Sequence, residues 1–245
     1  MLEVLHGEHR YVIKAAGPAN HHIRREIEAH QACTAVWSSR GLAPRLVAAD
    51  RSLNLLVTEY LDGCLVEGDA AEYREDTYLQ AGQLLRLFHA QATRVDARYE
   101  VEATAKAAAW LQGLHRIDPA MAKEAEAVFD AYRPEPVVLV PTHGDWQPRN
   151  WLVNGSRLRI IDFGRFAFRP ALSDFCRLAA QQWRAAPGLE AAFFAGYGAD
   201  PRESTLWDMA LLREAVATAV WAHQVDDHRF EHQGHRMIRD ALAAF

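Results

Sequence analysis

The rhythm of hydrophobic and polar positions changes along the chain. Residues 10–15, Arg-Tyr-Val-Ile-Lys-Ala, are β-branched and aromatic and predict a strand. Gly7-Glu8-His9 reads as a turn before it, with residues 2–6 as a partner strand. From 21 to 38 the period becomes helical, with Ile23, Ile27, His30 and Thr34 on one face and no proline inside. Gly41 and Pro44 end that helix. Strands over 45–49 and 53–60 flank the turn-rich Asp50-Arg51-Ser52, and Asp62-Gly63 breaks the pattern. Helical spacing then dominates, over 77–93, 101–115 and 119–132, until Pro134 and Pro136 stop it. Residues 137–140 read as a short buried strand and 143–150 as a loop without period. Residues 151–153 and 158–161 form a predicted hairpin around Asn154-Gly155. Helices return over 171–184, 189–197 and 204–225, and again near the C-terminus. The expectation is an α+β protein: a small β-rich N-terminal region, 1–61, and a larger helical one, 62–245, hinged at Asp62-Gly63.

Composition narrows the class. The 245 residues are 50% hydrophobic and 24% charged, enough chain and enough apolar matter for a real core. No repeat and no low-complexity tract interrupts it. The net charge of −5 speaks against a nucleic-acid partner. Cys33, Cys64 and Cys176 are widely spaced and form neither a zinc pattern nor a disulfide framework. With no apolar run long enough to span a bilayer and no signal-like start, the chain is expected to be cytoplasmic, off the membrane, and a monomer or weak dimer. Of the 27 basic residues only Lys14, Lys106 and Lys123 are lysine.

One constellation stands apart from core and surface patterning. His143-Gly144-Asp145-Trp-Gln-Pro-Arg-Asn150 is followed, after the hairpin, by Ile160-Ile161-Asp162-Phe163-Gly164. Phosphoryl transfer from a nucleoside triphosphate needs a carboxylate at the attacking hydroxyl and hard oxygen ligands for Mg²⁺ on the phosphates. Kinase catalytic loops use Asp-x4-Asn followed by Asp-Phe-Gly. Asp145, Asn150 and Asp162 match that spacing. A structural reading, in which a loop Asp caps a helix and a strand-end Asp turns, explains each residue singly but not the set.

With His-Gly-Asp in place of His-Arg-Asp, the chain resembles the aminoglycoside phosphotransferase and choline kinase family, a small-molecule branch of the protein-kinase-like two-lobe fold. Further pieces appear in the family's order: Tyr11-Val-Ile-Lys14, Arg25-Glu26-Ile-Glu28, Leu55 to Gly63, and Gln83 to His89. The resemblance implies that Asp145 is the catalytic base and that Asn150 and Asp162 hold Mg²⁺. It implies that Lys14, paired with Glu26, contacts the phosphates of ATP or GTP, with Glu28 as the rival partner. It places adenine on backbone groups of Thr58 and Tyr60, has His143 orient the catalytic loop, and makes Asp174 a structural carboxylate. The implied reaction moves a γ-phosphoryl group onto a small-molecule hydroxyl, with an aminoglycoside-like antibiotic as the leading acceptor. A choline- or sugar-like metabolic acceptor is the alternative, as is a nucleotide-binding pseudokinase. The chain departs from the family before Lys14. Only thirteen residues precede it and no glycine-rich loop is present, so either the nucleotide roof is a minimal hairpin or the start lies upstream of Met1.

The acceptor has few candidate contacts. Trp146 adjoins the base and reads equally as a pocket wall or as core. Asp226, Asp227 and Glu231 are acidic and would suit a cationic acceptor, or else form a solvated helix end. His223, His228, His232 and His235 cluster near the C-terminus but lack the His-Glu-x-x-His pattern of a zinc site.

Overall fold

The computed structural model describes residues 1–245. In chain order its elements are β1 (Leu2–His6), β2 (His9–Ala15), α1 (His21–Ala32), α2 (Ala35–Ser38), β3 (Leu46–Asp50), β4 (Leu55–Glu59), β5 (Cys64–Leu65) and α3 (Glu75–His89). There follow β6 (Arg94–Asp96), α4 (Tyr99–Leu111), α5 (Pro119–Ala131), β7 (Val137–Thr142), β8 (Trp151–Asn154), β9 (Arg157–Ile160) and β10 (Ala167–Arg169). The chain ends with α6 (Cys176–Leu178), α7 (Gly188–Tyr197), α8 (Ser204–Gln224) and α9 (His228–Leu242). It is an α+β protein, and no helix is long and apolar enough to cross a membrane. It divides into two compact units, Met1–Thr93 with Val140–Asp200 and Arg94–Leu139 with Pro201–Phe245, a division that does not fall at residue 61.

The first unit opens with an antiparallel sheet in the order β1-β2-β4-β3. A two-residue turn with Gly7 at φ 62° joins β1 to β2, as the sequence pattern predicts. Register pairs Ile13 with Val57 and Lys14 with Leu56. Helix α1 starts at Asn20, whose side chain accepts from the His22 and Ile23 N–H groups and so satisfies donors the helix leaves open. Its buried face carries Ile23, Glu26, Ile27 and His30, at helical spacing, and Ile23 and Ile27 pack on Leu56. The predicted helix 21–38 is broken at Cys33 into α1 and α2, where Trp37 stacks on Phe88 at 4.4 Å and donates its indole N–H to the Leu84 carbonyl.

A short sheet in the order β5-β8-β9 and the helices α3 and α7 also belong to the first unit. Strands β8 and β9 pair as predicted, with β5 added on the outer edge. Strands β5, β6 and β10 have only two or three residues each, too few to show a period-two pattern. The predicted helix 171–184 is instead a 3-10 turn over Ala171–Asp174, a single turn of α6, and a π segment over Ala179–Trp183. Helices α3 and α7 cross at backbone distance. A Cβ on Gly196 would lie 2.0 Å from the Leu79 carbonyl oxygen, and one on Gly82 would lie 2.1 Å from that of Phe193. Only glycine fits at this crossing.

The second unit is a helical cluster of α4, α5, α8 and α9. Glu100 of α4 is fully buried and takes a two-pronged contact from Arg213 of α8, at 2.7 and 3.1 Å, plus the Tyr132 hydroxyl at 3.0 Å.

The α3–α7 crossing yields a stability prediction. Gly196→Ala should lower the free energy of unfolding by about 1–3 kcal/mol or more, because backbone rather than a flexible side chain must move. Urea denaturation against wild type measures it, and an unchanged midpoint would show that the helices separate freely.

Candidate active site

Lys14 stands at the inner end of β2 and reaches Glu26 on the buried face of α1. Its ammonium donates to both carboxylate oxygens, at 2.7 and 2.9 Å, and lies 3.5 Å from Asp162. Glu28, two positions along the helix, is exposed on the other side. Burial alone would lower the Lys14 pKa, but Glu26 and Asp162 more than offset it, and the ammonium is held more firmly than usual. Burial raises the Glu26 carboxyl, and Lys14 pulls it back only in part. These two shifts favour opposite charge states for the pair. We assign the ionised form, because both Glu26 oxygens accept from one ammonium, which a protonated carboxyl would not do. His30, on the same helix face, is pushed down to about 4 by burial and by Lys14, and is neutral.

The loop that carries Asp145 begins where β7 ends. Gly144 has φ 79°, and a Cβ there would lie 2.2 Å from the Arg165 carbonyl oxygen, so the sharp turn needs glycine. The turn aims the His143 and Gly144 N–H groups at Asp174, which accepts them at 2.8 and 2.6 Å. Asp174 also accepts from His89 Nε2 at 3.1 Å, and His89 Nδ1 meets the Tyr197 hydroxyl at 2.9 Å. Burial opposes the Asp174 charge, but the His89 and backbone contacts outweigh it and hold the carboxyl below its usual range. Buried His143 contacts the Ile161 carbonyl through Nε2 at 3.1 Å, linking the Asp145 loop to the strand end before Asp162.

Asp145 and Asn150 meet through this loop. The Asn150 amide nitrogen donates to the Asp145 carbonyl and carboxylate, at 2.8 and 2.9 Å. That fixes the amide with Nδ2 toward Asp145 and its carbonyl oxygen away from it. The Asn150 backbone carbonyl accepts from Ile161 N–H at 3.0 Å. Asp162 follows with φ 64°, a left-handed backbone that few L residues adopt. Its carboxylate is half exposed, while Phe163 is fully buried beside Trp37, His30 and His143. An exposed carboxylate and a pre-aimed amide oxygen are hard ligands. The small set suits Mg²⁺, which keeps waters and phosphate oxygens in its shell.

Several expectations need correction. The Tyr60 N–H is already given to the Arg10 carbonyl at 2.9 Å, and Thr58 lies inside the sheet opposite Val12 and Leu46. The Glu59 N–H is likewise given to the Arg45 carbonyl, at 2.9 Å. Trp146 is fully buried, packed with Trp37 at 5.8 Å and Trp151 at 5.5 Å, and belongs to the core rather than to a pocket wall. Within the second unit, Glu231 is buried and holds Arg116 through two contacts, at 3.0 and 2.7 Å. Asp227 caps α9 by accepting from Phe230 N–H, and Asp226 lies 3.5 Å from His228. Glu231 and Asp227 are thus committed to local contacts, while Asp226 stays largely exposed. Glu231 is also the acid near which His223 and His228 gather, and no group of three or more His, Cys, Asp or Glu side chains could hold a metal ion.

The surroundings of Asp145 depart most from the sequence reading. Arg149 donates to one oxygen at 2.6 Å, Arg177 meets the other at 3.1 Å, and Gln147 donates to it at 2.5 Å. Burial opposes the charge, yet Arg177, Arg149 and Arg165 together drive the carboxyl far below its usual range. Asp145 is therefore ringed by guanidinium groups, the opposite of what a cationic acceptor would meet. Arg149 was visible as the residue before Asn150, and Arg177 three places after Asp174. Nothing in their spacing marked them.

A sequence model described as a phosphotransferase enzyme family matches residues 2–207. No curated protein matches the chain. Among similar solved structures, choline kinase LicA from Streptococcus pneumoniae superposes with TM-score 0.70 at 14% identity, over 99% of this chain and 89% of that one. The GDP complex of aminoglycoside 2'-phosphotransferase-IIIa gives 0.68 at 13%, over 98% and 88%. A choline/ethanolamine kinase family protein from Mesorhizobium loti gives 0.65 at 17%, over 96% and 82%. These likenesses establish the protein-kinase-like fold.

Loss of the Asp174 carboxylate orphans two backbone donors and His89 at once. Asp174→Ala should cost about 3–5 kcal/mol in urea unfolding at neutral pH. Asp145 and Asp174 have folded pKa values below their ordinary 3.8. The stability they contribute is therefore complete above about pH 4 and lost as the pH falls through the folded values. A wild-type midpoint that stays level from about pH 5 to pH 3 would contradict this.

Proposed function

The chain belongs to the phosphotransferase enzyme family, and from that premise we propose that it moves the γ-phosphoryl group of a nucleoside triphosphate onto a hydroxyl of a small molecule. The observation that carries this reading is the joint placement of Lys14, Glu26 and Asp162 with Asp145 and Asn150, all within the first unit. Asn150 links the two groups: its side chain holds Asp145, and its carbonyl holds the strand end before Asp162. In this reading residues 1–61 supply the nucleotide contacts and residues 62–245 supply the loops.

Each residue has a task. Lys14, fixed by Glu26, donates to the phosphates and offsets their charge. The stretch from Glu59 to Leu61, at and just past the end of β4, receives the base of ATP or GTP. Asp162 and the Asn150 amide oxygen would hold Mg²⁺, which neutralises charge on the β- and γ-phosphates. Asp145 accepts the hydrogen bond of the acceptor hydroxyl and orients its oxygen toward phosphorus. As the new O–P bond forms, the bond from phosphorus to the β–γ bridging oxygen breaks, and its electron pair leaves with the nucleoside diphosphate. The hydroxyl proton passes to Asp145. A carboxylate held this far below its usual range is a weak base, so orientation supplies more of the rate than proton abstraction does. Two of the similar structures are complexes with GDP and AMP, which supports nucleotide use. The complete set of polar residues favours turnover over a pseudokinase.

Two substitutions test the reading. Asp145→Asn should fold with a lower unfolding midpoint, because Arg177 and Arg149 lose a charged partner, and should lower kcat by about 10²–10⁴, measured on the folded variant as nucleotide-dependent phosphorylation across an acceptor panel. Wild-type kcat on a verified acceptor would remove Asp145 from the reaction. At Asp162 the informative change is to Asn, which tolerates the left-handed backbone. Asp162→Asn should unfold like wild type yet need far more Mg²⁺, whereas Asp162→Ala should also lose about 1–2 kcal/mol of stability. An unchanged Mg²⁺ titration in both would overturn the assignment.

A further inference from the structure

The phosphotransfer reading leaves the acceptor open, and the charge around Asp145 constrains it. Both oxygens of this carboxylate are in use. One takes Gln147 and Arg177, the other Arg149 and Asn150. A hydroxyl that is to meet Asp145 must displace one of these donors. Arg149 is the one able to leave: its side chain is 43% exposed, against 12% for Arg177. Once displaced, Arg149 loses a charge-assisted contact of 2.6 Å beside two other guanidinium groups that act on the same carboxylate, Arg177 and Arg165.

Further guanidinium groups crowd the same turn. Arg169 donates to Thr142 and to the Arg165 carbonyl, close enough to Gly144 that a Cβ there would lie 2.6 Å from its Nη1. Arg25 of α1 is half-buried, and its pKa is lowered by burial and by the nearby charge of Arg169. Adding a cationic acceptor here would place like charge against like charge. An acceptor with an oxyanion gives Arg149 a replacement partner when it releases Asp145, and the released carboxylate regains basicity.

We propose that Arg149 and Arg177 form an oxyanion subsite beside Asp145, and that the acceptor is an anionic hydroxy compound bearing a phosphate or carboxylate group. The inference rests on the phosphotransfer reading for the acceptor's role, while the subsite itself is defined by the arginines. Arg149 is a positioning residue in the free enzyme and a ligand contact in the complex. The hydroxyl attacks the γ-phosphorus as described above, and the oxyanion undergoes no covalent change.

The test uses the full chain saturated with Mg²⁺ and a non-hydrolysable triphosphate analogue, so that the γ-phosphate position is filled. Calorimetric titration with inorganic phosphate should show binding that weakens at least tenfold in Arg149→Gln and is partly restored in Arg149→Lys, with analogue affinity unchanged. Arg149 is exposed enough for these variants to fold, and thermal denaturation checks that they do. Turnover is then compared across glucose, gluconate and glucose 6-phosphate, with choline and kanamycin as cations. A tenfold or greater gain in kcat/KM for an anionic member over glucose, erased in Arg149→Gln, supports the proposal and separates carboxylate from phosphate recognition. Phosphate binding that is absent or indifferent to Arg149, or faster turnover of a cation than of every anion, overturns it while leaving phosphotransfer intact. Arg149-dependent phosphate binding without turnover of any acceptor would uphold the subsite and count against phosphotransfer.

Discussion

A single buried carboxylate holds the reactive part of this molecule together. Asp174 has no exposed side-chain surface, and an isolated charge there would be very costly. It is tolerated because two consecutive backbone N–H groups and His89 converge on it. The same contacts set the loop that carries Asp145, since His143 and Gly144 present their N–H groups together with Gly144 in the left-handed region. Through His89 the carboxylate reaches α3, and through Tyr197 it reaches α7. The glycine crossing of those two helices therefore bears on where Asp145 stands.

The fold was legible wherever a residue's local neighbours decide its conformation. The β1–β2 hairpin, α1, the β8–β9 hairpin and the long helices follow from alternation, helical spacing and turn residues. The Asp145, Asn150 and Asp162 loops stood out because chemistry, not packing, explains their spacing. Strands β5, β6 and β10 were hidden because each exists only through its partner strand. The segment 171–184 has helical composition, but the turn that buries Asp174 overrides it, a tertiary demand that no local pattern records.

The site was legible in its parts and not in its electrostatics. Lys14 could be matched with an acidic residue on the first helix. Choosing Glu26 over Glu28 required the buried face that Ile23, Ile27 and His30 define. Thr58 and the Tyr60 N–H, expected at the nucleotide base, are taken up by the sheet, because a strand's register with its neighbours is not written in its own residues. The arginines around Asp145 come from three separate stretches, Arg149, Arg165 and Arg177, and only folding sums their charges. Net charge pointed the other way: an acidic chain of −5 keeps a basic centre.

The backbone at Asp162 also shapes how this protein can change by mutation. One base change in an aspartate codon reaches asparagine or glycine, the residue types most at ease in the left-handed region. Either replacement leaves the loop its shape while removing the carboxylate. Loss of activity at this position is thus uncoupled from loss of fold, and selection for stability alone would not remove such variants. Folded variants of this chain that lack the carboxylate therefore lie one base change away.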